Sequence, residues 1–204
     1  MIDFWNKRYA QEEWAYGSSP NEYLKSVLSE LDKGRILFPA EGEGRNAVYA
    51  ASQGWEVAAF DFSAEGKRKA LTLAEKRGVN IDYKTCAFLE EVYPKESFDV
   101  IANIFVHFDP AVKTLMHERL SSYLKVGGYF IMEVFSKNHR ALSRLNPAVG
   151  GPEDTARMYD EEEIEKFFPN FEFLMLEECK VSLQEGRYHN GESAVLRFLG
   201  KKIA

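Results

Sequence analysis

Short apolar runs separated by helically spaced apolar residues organise the first two thirds of the chain. Residues 36–38 end on Pro39 and residues 55–60 end on Asp61; further runs cover 80–85, 98–105 and, after Gly127 and Gly128, 129–135. Uninterrupted runs of that length predict parallel strands buried on both faces. Between them, Ala47, Ala50 and Ala51 belong to a helix that stops at Gly54, and Ser63 caps a second helix that stops at Gly78. Asp109 and Pro110 open a third, carrying Val112, Leu115, Met116, Leu120 and Leu124. Ahead of the first strand, Ser19 as N-cap, Pro20 at the first helical position and Glu22 closing a capping box predict a helix with Leu24, Val27, Leu28 and Leu31 on one face.

The last third reads differently. Residues 136–159 are polar and hold Pro147, Gly150, Gly151 and Pro152, the text of a long loop. Asp160 and Glu163 open one more helix, which ends near Phe168 and Pro169, and residues 171–183 and 193–200 form an antiparallel C-terminal hairpin. The fold predicted is α/β: a doubly wound, seven-stranded, mostly parallel sheet with helices on both faces, Rossmann-like. We expect a single domain over 1–204, with an N-terminal cap and helix (1–34), a ligand-binding core (35–135) and a substrate loop with the hairpin (136–204). The aromatic start, with Phe4, Trp5, Tyr9, Trp14 and Tyr16, is a packing arm or a lid.

In such folds a ligand lies across the carboxyl ends of the strands, where the turn after the first strand lets backbone approach it and an acid after the second accepts hydrogen bonds from a ribose. Here the turn is Ala40-Glu41-Gly42-Glu43-Gly44 and the acid is Asp61. Gly42, Gly44 and Ala47 also spell a nicotinamide-type fingerprint, so an NAD(P)-dependent reductase is one reading. A pyrophosphate wants bare N–H groups or positive charge, whereas this turn carries two glutamates. A cationic nucleoside without phosphate suits it better.

At 204 residues, with 45% hydrophobic and 28% charged residues, the chain has room for one full core and little for a second lobe. Its net charge of −6 argues against avid nucleic-acid binding, since phosphate neutralisation needs a basic face. Cys86 and Cys179 lack metal-ligand spacing and fit a reducing compartment. Without a run of eighteen apolar residues or a basic-then-apolar leader, the expectation is a cytoplasmic protein with no membrane partner, a monomer or weak homodimer acting on a small molecule.

Trp5-Asn6-Lys7-Arg8-Tyr9, residues 16–21, residues 40–47, Asp61-Phe62-Ser63, Phe98-Asp99-Val100-Ile101, Gly150-Gly151-Pro152 and Gly186-Arg187-Tyr188-His189 together resemble the class I S-adenosylmethionine-dependent methyltransferases. More narrowly, the chain resembles the tellurite-resistance methyltransferase-like group, distantly similar to thiopurine methyltransferase. The resemblance implies S-adenosyl-L-methionine held by main chain at Gly42 and Gly44, by Asp61 at the ribose, by Phe62, Ala87 and Phe88 at the adenine, and by Asn103 or Ile104 at the methionine end. Arg8 and Tyr16 match positions that meet the cofactor's carboxylate. The pattern departs from the family at Ala40, where its first glycine falls, and at Phe38 and Pro39, where an acid is usual; Glu41 could supply that carboxylate. These departures leave a non-catalytic S-adenosylmethionine-binding module as a further reading.

Methyl transfer is an in-line displacement needing the nucleophile about 3–3.5 Å from the methyl carbon. A thiolate or chalcogen oxyanion needs no general base there, while an amine or hydroxyl does. His107 is the residue nominated as base, with His189 second.

Overall fold

The computed structural model describes residues 2–90 and 93–204, so Met1, at the head of the N-terminal cap, and Glu91 and Val92, inside the core segment, lie outside the described residues. A seven-stranded sheet runs β3-β2-β1-β4-β5-β7-β6, from β1 (Arg35–Pro39), β2 (Glu56–Asp61), β3 (Asp82–Thr85), β4 (Phe98–Ile104), β5 (Leu124–Phe135), β6 (Phe171–Gln184) and β7 (Asn190–Lys202). β1 to β5 pair in parallel; β7 is antiparallel to both of its neighbours, so the hairpin closes the sheet on one side. Because β1 lies between β2 and β4, the order in which strands are added reverses there and a crevice opens at the carboxyl ends of these parallel strands.

Helices cover both faces. Leu24, Phe38, Ala47, Ala59, Ala70 and Ile131 pack on one face beneath α2 (Glu22–Glu30), α3 (Arg45–Ser52) and α4 (Ala64–Arg77). On the other, Leu37, Phe60, Phe98, Leu120, Phe130, Phe168 and Phe198 pack beneath α5 (Lys113–Tyr123) and α7 (Glu161–Phe167). Local signals explain several boundaries: Ser63 Oγ accepts the Gly66 N–H to start α4, Gly78 stops it at φ +66°, and Asp160 and Glu163 form a reciprocal capping box on α7.

Elsewhere the structure departs from the sequence pattern. Residues 2–9 form a helix, α1 (Ile2–Tyr9), packed on α4. α2 is capped by Asn21, whose Oδ1 accepts the Leu24 N–H, and not by Ser19; the Asn21 amide also serves Glu133 and Glu185, and these tertiary bonds fix the cap two residues later. α5 begins at Lys113, beyond Asp109, because the Asp109 carboxylate closes a turn on the Ala111 N–H and is drawn off by Arg157 at 2.7 Å. Gly127 and Gly128 lie inside β5 at a shift of register, where a Cβ on Gly128 would sit 2.8 Å from the Asp99 carbonyl oxygen. Residues 136–159 hold a helix, α6 (His139–Leu145), and two short 3-10 turns; only His139 and Ser143 of α6 are buried, so no apolar stripe announces it. Among the described residues no helix is long and apolar enough to cross a membrane.

Candidate cofactor and acceptor site

The bend after β1 is built from three left-handed residues, Ala40 (φ +47°), Gly42 (+64°) and Gly44 (+85°). Both glycines have reasons internal to the protein. A Cβ on Gly44 would run into the Ala70 side chain, so that glycine sets the approach of α3 to α4. A Cβ on Gly42 would lie 2.6 Å from the Tyr9 hydroxyl, and the Gly42 carbonyl accepts from the Tyr83 hydroxyl at 2.6 Å. α1 therefore sits over the bend, pinned also by the Ser63 hydroxyl, which donates to Asn6 at 2.6 Å.

The two glutamates do not present bare negative charge. Glu43 is buried, ion-paired to Lys69 at 2.8 Å, and accepts the Ala15 N–H at 2.9 Å. Glu41 turns onto the start of α3, where its Oε1 accepts the N–H groups of Asn46 (2.9 Å) and Ala47 (2.8 Å) and supplies the cap that Gly44 cannot. Burial pushes its carboxyl up to about 7. An acidic bend facing a cation is thus corrected: one charge is matched by an ammonium and the other is spent on helix amides.

Asp61, 4% exposed, closes β2 beside the bend. Its Oδ2 accepts the Gly42 N–H (3.0 Å) and its Oδ1 the Ser63 N–H (2.8 Å), and it makes no ion pair among the described residues. Each oxygen keeps a lone pair for a hydroxyl donor. Burial raises the carboxyl to about 6 against these amide bonds. Phe62, Ala87 and Phe88 are all part-exposed on this side, but the Phe88 ring sits edge-on to Phe60 (5.2 Å) and Phe108 (4.8 Å) and serves the core as well. Asn103 ends β4 fully buried, with neither Oδ1 nor Nδ2 bonded among the described residues; Ile104 beside it packs on the opposite face.

A second constellation lies where the N-terminal segment meets the β6–β7 turn. Arg8 donates to the Tyr16 hydroxyl at 2.8 Å, and its guanidinium lies 4.0 Å from the Tyr188 ring centroid. The backbones of Gly17 and Gly186 touch, since a Cβ on Gly186 would be 2.5 Å from the Gly17 nitrogen, and Ala15 O accepts from Arg187 and Tyr188. Behind them Glu185 accepts from Arg45 (2.8 Å), Asn21 (3.0 Å) and His189 (3.4 Å), and Asn21 continues to Glu133 and Arg197. Burial alone would raise Glu185, but the His189 bond and the Arg45 charge hold it at about 2. Sequence reasoning missed Glu185, Arg45 and Asn21; two of them lie in segments that carry the family resemblance, and no local pattern joins them.

His107 does not suit the role of base. Its Nδ1 donates to the Arg157 carbonyl (3.2 Å), its Nε2 accepts the Phe135 N–H (3.4 Å), and burial drives its pKa down to about 3. Both ring nitrogens are committed to main chain.

Residues 36–128 match the methyltransferase domain family. A probable thiol methyltransferase 2 from Arabidopsis thaliana is 28% identical over 145 residues, 64% of this chain and 63% of that protein, so the match spans less than two thirds of the relative. Among solved structures, one from work on the conversion of a disulfide bond into a thioacetal group during echinomycin biosynthesis matches with a TM-score of 0.80 at 16% identity, over 100% of this chain and 93% of the other. TehB from Haemophilus influenzae matches with a TM-score of 0.72 at 17% identity, over 98% and 66%. At such identities the structural likeness is one of fold. The sheet order with an antiparallel β7 defines the class I methyltransferase fold. The chain thus shares the fold of class I S-adenosylmethionine-dependent methyltransferases, and residues 36–128 carry the match to the methyltransferase domain.

Proposed function

We propose that the protein transfers the methyl group of S-adenosylmethionine to a small-molecule acceptor, with a thiol as the acceptor class. The observation that carries the cofactor reading is the Asn103 amide, fully buried at the end of β4 with both polar atoms unbonded among the described residues. A buried amide left without partners costs about 1–3 kcal/mol, and a ligand offering an ammonium and a carboxylate removes that cost. Asp61, with lone pairs to spare, fits a ribose. Phe62, Ala87 and Phe88 line the adenine, Ile104 flanks the methionine end, and Arg8 with Tyr16 supplies the cation and hydroxyl for its carboxylate. Gly42 and Gly44 act through main chain, their lack of a side chain being accounted for by Tyr9 and Ala70. The bound group supplies an electrophilic methyl carbon; these residues bind and orient it.

Likeness to a probable thiol methyltransferase supports a thiol acceptor. The test pairs calorimetry of S-adenosylhomocysteine binding with transfer of labelled methyl to a panel of thiols, amines and phenols. Asn103→Leu should raise the melting temperature of the ligand-free protein and weaken cofactor binding at least about tenfold. Absence of binding to the unaltered protein sinks the reading.

A further inference from the structure

We propose that His189, oriented by Glu185, accepts the proton of the thiol acceptor, an assignment that rests on the methyl-transfer reading above. Of the four histidines, His107 and His139 have both ring nitrogens bonded, His139 to the Gly150 carbonyl and the Ala194 N–H. His117 is buried, with Nε2 on the Tyr159 hydroxyl and Nδ1 enclosed in the core. His189 alone combines a carboxylate on Nδ1 with an Nε2 that is bonded to none of the described residues and is not among the fully enclosed atoms. A carboxylate that fixes the tautomer and leaves the other nitrogen bare is the arrangement of an oriented base.

The surroundings are built to hold that ring. Arg45 and Asn21 fix Glu185, and Gly150 and Gly186 let neighbouring backbone close around the turn; a Cβ on Gly150 would run into the Tyr188 carbonyl and meet the His189 ring at 3.2 Å. Phe105, the residue after β4, holds a left-handed φ of +54°, a conformation that costs about 1 kcal/mol or more in a residue of its size. That conformation accompanies a ring centroid 4.4 Å from His189, with Tyr16 at 4.5 Å and Phe135 at 5.2 Å. The imidazole is thereby set in an aromatic enclosure just beyond the carboxyl end of β4, beside the proposed methionine end of the cofactor.

Burial keeps the ring neutral, with a pKa of about 4, so the lone pair is present at neutral pH. Among the charged groups facing it, Arg45 disfavours an imidazolium and Glu185 favours one. As the thiol sulfur forms its bond to the methyl carbon, the carbon–sulfonium bond breaks with its electron pair left on the departing sulfur. The thiol proton passes to Nε2 and then to solvent.

A thiolate needs no such help, and this gives the test. At pH 7, His189→Gln should slow methylation of an alkanethiol by about 10²-fold or more, while a nitrothiophenol, already ionised, changes by less than about threefold. Its affinity for S-adenosylhomocysteine should stay within about threefold of the unaltered protein. Imidazole added to His189→Ala should restore alkanethiol turnover. Without any ligand, the ring ¹⁵N shifts of His189 should be those of the neutral Nδ1–H tautomer with a bare Nε2. Equal loss on both thiols, no loss on either, or an Nε2–H tautomer overturns the assignment while leaving the cofactor reading standing. Loss of S-adenosylhomocysteine binding by the unaltered protein overturns both.

Discussion

Asp61 is held ionised at neutral pH against the preference of the ligand-free fold, and Asp61→Asn exposes that tension. Burial raises its carboxyl from 3.8 to about 6 even though the main-chain N–H groups of Ser63, Gly42 and Phe62 act to lower it. The folded state therefore binds the proton more tightly than the unfolded chain between about pH 4 and pH 6. Stability linked to the protonated form is complete below about pH 4 and is lost as pH rises through 6, by about 3 kcal/mol for a shift of this size. In Asp61→Asn the titrating group is gone. Stability of the unaltered protein relative to the variant should then fall by about 3 kcal/mol from pH 3.5 to pH 7, or about 6–12 °C in relative melting temperature for a chain of this length. Urea unfolding of both proteins across that range measures it. Glu41 titrates nearby, raised to about 7 with the Asp61 charge among its causes, so the comparison is repeated on a Glu41→Gln background. Cofactor binding should run the opposite way. Ribose hydroxyls donate to the carboxylate, so affinity for S-adenosylhomocysteine should rise with pH through 6 in the unaltered protein. In the variant it should be flat, and at least about tenfold weaker at pH 7. Parallel stability curves would refute the burial argument, and a flat affinity in the unaltered protein would refute the role of Asp61 at the ribose.

Two further perturbations address the frame of the bend. Gly44→Ala places a methyl against Ala70 at a φ of +85° and should cost about 2–4 kcal/mol; if crowding is the cause, Ala70→Gly in the same chain recovers about 0.5–2 kcal/mol, whereas independent effects would add. Lys69→Met leaves Glu43 buried without its cation and should cost about 3–5 kcal/mol, with faster hydrogen exchange at Ala15, whose N–H donates to that carboxylate. Adding Glu43→Gln should return much of that stability, and failure to do so would show that the ion pair is not what holds residues 13–15.

What could be read from the chain alone divides along the distance between partners. Strand runs, the Ser63 cap, the Gly78 stop and the Asp160–Glu163 box are settled by residues within a turn of each other, and each forms as its local text predicts. α1 and α6 were hidden because each buries few side chains, Tyr9 in the first and His139 with Ser143 in the second, so neither carries an apolar stripe. The bend is a subtler case. Its glycines and glutamates were legible as residue types, but their roles depend on what stands opposite. Tyr9 stands against Gly42, Ala70 against Gly44 and Lys69 against Glu43, and all three come from elements on the far side of a loop. The sign of a charge is local information, whereas its neutralisation is not. The same holds for the histidines, which differ in the sequence only by position and in the fold by how many ring nitrogens the main chain consumes. His107 stands at the end of the fourth strand, where a base would be sought, yet carbonyl and amide take both its nitrogens. His189 lies in a turn near the end of the chain and is brought to the same crevice only because Gly186 can rest on Gly17. A Cβ at Gly186 would lie 2.5 Å from the Gly17 nitrogen and 2.7 Å from the Ala15 carbonyl oxygen, separating the turn from the N-terminal segment and carrying the imidazole away from β4, so the reach of the proposed base into the site depends on a residue that has no side chain of its own.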